Sequence, residues 1–146
     1  MKTAGLHHIT AVTKKPQTNI DFYQQVLGQR MVKTTINFDD PSVYHLYYGD
    51  NSGIPGTAMT FFGWLRSAQG KVGMGETQSV AYTIPQHSLE YWNARLKQLG
   101  FSPDRTETRF GQEVIPFLDP EGMQMELVGD RNLAEIQPWS ASPIPE

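Results

Sequence analysis

The chain repeats itself once. Read for periodicity, residues 5–64 give a strand in "LHHITAV", a helix in "TNIDFYQQVLG", then strands in "QRMVKTTINF", "VYHLYYGD" and "TAMTFFGW". Residues 77–130 follow the same order through "QSVAYTI", "SLEYWNARLKQLG", "FSPDRTETRF", "QEVIPFLD" and "MQMELVGD". Each half therefore reads as a β-α-β-β-β unit. The halves align with Gly28 on Gly100, each a helix stop, and with Asp50 on Asp119. In the second helix Leu89, Trp92, Leu96 and Leu99 share one face at spacings of three and four. In the first, Ile20, Tyr23 and Leu27 do the same.

A sheet covered by one helix has a second face to dispose of. If that face carries apolar residues it must meet another layer, so the units are expected to pair and enclose a cup. The expected fold is α+β: two tandem βαβββ modules (5–64 and 77–130) whose mixed sheets are cup-shaped half-barrels, forming one domain of 146 residues. Residues 65–76, "LRSAQGKVGMGE", read as a polar linker, and residues 131–146 as a proline-bearing tail that leads elsewhere or lies on the surface. Pairing of the cups predicts a homodimer or association with a missing carboxy-terminal half.

Composition narrows the chemistry. With no cysteine, any metal centre here is built from nitrogen and oxygen, and the absence of disulfides fits a reducing, cytoplasmic setting. A net charge of -3 provides no basic footprint, so nucleic acid is not an expected partner. The opening "MKTAGLHHIT" lacks an apolar run suited to a leader or a membrane span.

Strand alternation then sorts side chains between the two faces. In the first strand His7, Ile9 and Ala11 are assigned to the helix side, and His8, Thr10 and Val12 to the cup. In the last strand Met125 and Leu127 take the helix side, and Gln124, Glu126 and Val128 the cup. Superposing the halves makes His8, Thr60, Ser79 and Glu126 four equivalent cup positions, two of which are metal-ligand types. A carboxylate on so apolar a strand requires a metal, a basic partner or water, which makes Glu126 a candidate ligand. His8 reads either as a neutral imidazole ligand or as a hydrogen-bonded strand histidine. His45 shares the cup-facing parity of Tyr47 and reads as an acid/base group or a packed polar residue. His87, beside Ser88 where the second helix begins, reads as solvent-exposed, and Phe61, Phe62 and Trp64 as packing aromatics.

The paired units, together with "HHIT", "FYQQVLG" and "DPEGMQMELVGD", resemble the vicinal oxygen chelate superfamily, which contains glyoxalase I, extradiol ring-cleaving dioxygenases and bleomycin- or fosfomycin-resistance proteins. The block "VKTTINFDDPSVYHLYYGDNSGIPGTAMTFFGW" resembles more particularly the amino-terminal half of the dioxygenases that act on hydroquinones. That resemblance implies a metal-dependent ring-cleaving dioxygenase, or its amino-terminal domain, taking a hydroquinone- or catechol-like aromatic and dioxygen. It implies His8 as a ligand to Fe(II), with Mn, Zn or Ni as the other metals such a site accepts. In that branch the second histidine and the glutamate come from the carboxy-terminal half. Here Glu126 falls at the superfamily's carboxylate position, while Ser79 stands where a second histidine would. Two further classes stay open: a glyoxalase-like lyase or isomerase, which Thr60 and Ser79 count against, and a metal-free protein that sequesters an aromatic drug.

Overall fold

A computed structural model of the chain describes residues 5–101, 103, 105–133 and 138–145. It falls into two compact units, one formed by residues 5–69 with 138–145, the other by residues 70–133. In the first unit β1 (His8–Thr13) leads into α1 (Pro16–Asp21), a π-helical turn (Phe22–Val26), β2 (Arg30–Ile36), β3 (Tyr44–Gly49) and β4 (Ala58–Gly63). In the second, β5 (Val80–Pro85) leads through a short 3-10 turn into α2 (Leu89–Gln98), β6 (Glu107–Arg109), β7 (Gln112–Leu118) and β8 (Gln124–Asp130).

The sheets have orders β1-β4-β3-β2 and β5-β8-β7-β6, the same pattern twice. In each, the first strand pairs parallel with the fourth and the remaining pairs are antiparallel. The helix must therefore carry the chain from one edge of its sheet to the other, and both sheets remain open half-barrels. The expected βαβββ repeat is what the chain forms.

Local chemistry explains the shared pattern. Gly28 and Gly100 both adopt positive φ (69° and 82°), the left-handed stop that a side chain would oppose. In α2 the stop is a Schellman closure, with Phe101 N–H donating to Leu96 C=O at 2.9 Å. In the first unit the wider π turn changes the closure: Gln29 N–H reaches back to Tyr23 C=O at 2.8 Å. After β3, Asp50 Oδ1 accepts the N–H groups of Ser52 and Gly53 at 2.9 and 2.6 Å. After β7, Asp119 Oδ1 accepts those of Glu121 and Met123, both at 2.8 Å. One aspartate thus organises the turn into the last strand of each unit.

The first core lies between the helix and one sheet face. Phe22, Tyr23, Val26 and Leu27 bury there with Leu46, Tyr48, Met59 and Phe61. Tyr23 stacks on Tyr48 with ring centroids 4.8 Å apart, and Tyr48 O–H donates to the buried Asn19 Oδ1 at 2.8 Å. Burying an aromatic such as Phe61 contributes about 1.5–3 kcal/mol, so this face is committed to packing. In the second unit Trp92 and Leu96 of α2 are buried, as are Ile115, Phe117, Met125 and Leu127. Leu99 departs from the expected helix face: it is 44% exposed, because α2 ends at Gln98 and the turn at Gly100 swings it out. Residues 138–145 pack on the first unit. Trp139 Nε1–H donates to Gly28 C=O at 2.9 Å, and Ile144 lies against the space where Gly28 lacks a Cβ.

Candidate metal and acid–base site

The face of the first sheet opposite the helix is built by register. Thr10 of β1 lies opposite Thr60 of β4, Thr60 opposite Tyr47 of β3, and His45 opposite Phe62. Side chains of equal parity point the same way, so His8, Thr10, Thr60, Phe62, His45 and Tyr47 share this face. His8 and Thr10 are exposed; His45 and Thr60 are buried.

Four of these side chains form one hydrogen-bonded string across three strands. Tyr47 Oη lies 2.9 Å from His45 Nδ1, His45 Nε2 lies 3.0 Å from Thr60 Oγ1, and Thr60 Oγ1 lies 2.9 Å from Thr10 Oγ1. Every member can both give and accept a hydrogen bond, so the string has two self-consistent polarities. In one, Nδ1–H donates to Tyr47 while Thr10 donates to Thr60 and Thr60 to Nε2. In the other every donor is reversed. His45 is flanked by the rings of Tyr47 and Phe62, each with its centroid 4.1 Å away. Burial lowers its pKa from the ordinary histidine value, and the nearby charges of His8 and Lys33 lower it further. The imidazole is therefore held in its basic, uncharged form at neutral pH.

His8 stands at the start of the same face, and His7 does not take the opposite environment as strand alternation suggested. The two rings meet edge to face with centroids 5.2 Å apart and Nδ1 atoms 3.0 Å apart. The reason is where the strand begins. β1 opens at His8, so His7 lies in irregular backbone just after Gly5 (φ 107°), where the two-residue period has no force. This contact engages Nδ1 of His8, so Nε2 is the ring nitrogen it could offer to a metal.

The second sheet repeats the geometry with different chemistry. Ala81 of β5 lies opposite Glu126 of β8 as Thr10 lies opposite Thr60, which makes Thr60 and Glu126 structural equivalents and puts Ser79 in the place of His8. Glu126 has found a basic partner: Arg109 Nη1–H donates to its Oε1 at 2.6 Å. Arg109 Nε–H also donates to Glu107 Oε2 at 2.8 Å, and its Nη2 lies 2.7 Å from the same oxygen as an ion pair. Within either unit, among the described residues, no three His, Asp or Glu side chains gather into a metal-holding group. The donors present fit a divalent metal one at a time, an imidazole at His8 and a carboxylate at Glu126. His87 is exposed in its 3-10 turn, as expected.

Sequence reasoning missed two participants. Thr60 counted only as a non-ligand, yet it is the hub of the string; its register against Thr10 and Tyr47 was the missing information. Arg109 was overlooked although Glu126 called for a cation, because the length of β6 and its pairing with β7 were needed to place it.

Residues 5–127 match the Glyoxalase/Bleomycin resistance protein/Dioxygenase superfamily. The chain belongs to that superfamily. It is 44% identical over 139 residues to MhqO of Bacillus subtilis (strain 168), provisionally named a ring-cleaving dioxygenase, covering 95% of this chain and 44% of that protein. It is 34% identical over 148 residues to the chlorohydroquinone/hydroquinone 1,2-dioxygenase of Sphingobium indicum, covering 99% of this chain and 46% of the other. The chain thus spans about half the length of the curated relatives it matches. Among solved structures, one provisionally named a dioxygenase from Bacillus subtilis superposes with a TM-score of 0.85 at 41% identity, over 94% of this chain and 46% of that one. A fosfomycin resistance protein, FosX from Listeria monocytogenes, crystallised with Mn(II), shares the fold at 18% identity and a TM-score of 0.64, over 88% of this chain and 94% of its own. Among the described residues no helix is long and apolar enough to cross a membrane.

Proposed function

We propose that this chain is a metal-dependent ring-cleaving dioxygenase, or the amino-terminal half of one, acting on a hydroquinone- or catechol-like aromatic with dioxygen. The observation that carries the reading is the polar string running from buried His45 to exposed Thr10 on the face that bears His8. The relatedness to a chlorohydroquinone/hydroquinone dioxygenase along nearly the whole chain supports it. His8 Nε2 and the Glu126 carboxylate are the ligands this chain offers, with a partner copy or a further half completing the set. Fe(II), when bound, supplies the redox and templating chemistry of ring cleavage, and Mn, Zn or Ni are the alternatives.

The chain's own residues handle the proton. A phenol loses its proton more readily to a neutral imidazole than to water, and His45 is kept neutral by burial and by the charges of His8 and Lys33. A hydroxyl proton delivered at Thr10 passes as Thr10 donates to Thr60 and Thr60 to His45 Nε2. His45 then holds the positive charge, with Nδ1–H donated to Tyr47. Lys33 Nζ sits 5.5 Å from the centroid of the Tyr47 ring and opposes long residence of that charge, which favours returning the proton.

The test is oxygen uptake and ring-opened product from hydroquinone, with the chain loaded anaerobically with Fe(II), alone and together with the carboxy-terminal half of a relative. Activity lost in His8→Ala is expected, and in His45→Gln an activity reduced at neutral pH that no longer falls with protonation of the imidazole as the pH is lowered. A parent that retains no metal and consumes no oxygen in either setting overturns the reading. The ion pair at Glu126 favours one competing function, a metal-free protein binding an aromatic drug. Tight aromatic binding by the metal-free chain, with no metal retained, is its signature.

A further inference from the structure

An irregularity in β2 brings Lys33 to the open face of the first sheet. Met31 lies opposite Tyr48, yet Lys33 lies opposite Tyr47, so Val32 is an extra residue in the strand, a bulge. In an unbroken ladder Val32 would face Tyr47, and Lys33 would point with Leu46 toward the helix side. The bulge reverses that parity, and a row then runs straight across all four strands: Thr10, Thr60, Tyr47, Lys33. Beside it runs a second row of Val12, Phe62, His45 and Thr35, in which Val12 and Phe62 give an apolar flank. Neither row holds an aspartate or glutamate, and among the described residues no carboxylate pairs with Lys33. Its ammonium leans back over the Tyr47 ring instead, 5.5 Å from the centroid. Thr10 on β1 and that ammonium above β3 are thus two strand spacings apart, roughly 10 Å, which one benzene ring with a hydrogen bond at each end spans. An exposed cation held over this face without a carboxylate partner complements an anion.

We propose that Lys33 is a specificity-determining residue, selecting phenols that carry an anionic group, such as a carboxylate, para to the hydroxyl that meets Thr10. The inference rests on the proposal that this face receives a phenolic ring, and it requires no metal. Val12 and Phe62 flank the ring, and the Lys33 ammonium meets the anionic end. A neutral hydroquinone forgoes that last contact and binds less tightly than its anionic counterpart. Were Lys33 only a solvated cation of an edge strand, replacing it would alter net charge and nothing else, as would replacing any other exposed lysine.

The test is a ligand-observed nuclear magnetic resonance titration of the full chain, with chelator present, using para-hydroxybenzoate and its neutral isostere para-hydroxybenzamide, for the parent and for Lys33→Gln, Lys33→Arg and Lys15→Gln. Circular dichroism establishes that each variant is folded. The parent is expected to bind the benzoate about fivefold more tightly, the scale of one exposed opposite-charge contact, with the preference shrinking as salt rises. Lys33→Gln is expected to erase the preference and Lys33→Arg to keep it. Lys15→Gln, which removes the same charge from another exposed lysine, is expected to leave it unchanged. If the parent binds both phenols equally, or Lys33→Gln retains the preference, the selective role fails while the ring-binding face stands. If neither phenol binds, both fail, and the oxygen-uptake test alone decides the dioxygenase reading.

Discussion

Replacing Thr60 with Val tests whether the string on the first sheet is an energetic unit. The substitution keeps shape and removes one hydroxyl, at a side chain with no exposed surface. That hydroxyl bonds Thr10 and His45 at 2.9 and 3.0 Å, but the two losses are unequal. Thr10 is exposed, so water replaces its partner at little cost. His45 is 9% exposed, and its Nε2 is left buried without a partner, which costs about 1–3 kcal/mol. In a chain of this length each kcal/mol lowers Tm by roughly 2–4 °C. Thr60→Val should therefore melt visibly below the parent, while Thr10→Val should stay within about 0.5 kcal/mol. Urea unfolding followed by far-ultraviolet circular dichroism measures both. Adding His45→Phe to Thr60→Val should cost less than the two single effects together, because the orphaned nitrogen disappears. A Thr60→Val protein as stable as the parent, or a Thr10→Val protein equally destabilised, refutes the reasoning.

Because burial first, and then His8 and Lys33, lower the His45 pKa, the folded state binds fewer protons than the unfolded chain just below the ordinary value of about 6.5. Stability should fall as pH drops through that window, and unfolding at pH 7.5 and 5.5 should show a smaller difference in His45→Gln. Gly28→Ala would put a Cβ 2.2 Å from Ile144 Cγ1 at a φ of 69°, so the segment from Trp139 to Ile144 should lift away. Its readout is a red shift of tryptophan emission together with a loss of about 1–2 kcal/mol from the left-handed backbone. Phe110 is fully exposed at φ 51° in the β6–β7 turn, so Phe110→Asn should raise stability by about 0.5–1 kcal/mol in the same urea assay.

Much of this protein was legible without coordinates because its determinants are local and occur twice. The alternation in "HHITAV" and "MQMELVGD", the glycine stops at Gly28 and Gly100 and the turn aspartates Asp50 and Asp119 specify two βαβββ units and the equivalence of Thr60 with Glu126. They also put His8 on the face away from the helix, since a strand offers a side chain only two directions. Tertiary structure decided what these groups touch. Whether His45 meets Thr60 depends on the register between β3 and β4, where a slip of one residue would turn every side chain to the other face. Whether Glu126 meets a cation depends on a three-residue strand, β6, whose place at the sheet edge follows from its hairpin with β7. His7 turned toward His8 because the strand starts two residues later than its sequence suggests, and Trp139 found Gly28 across more than a hundred residues. Alternation determines direction; only the packed sheet determines company.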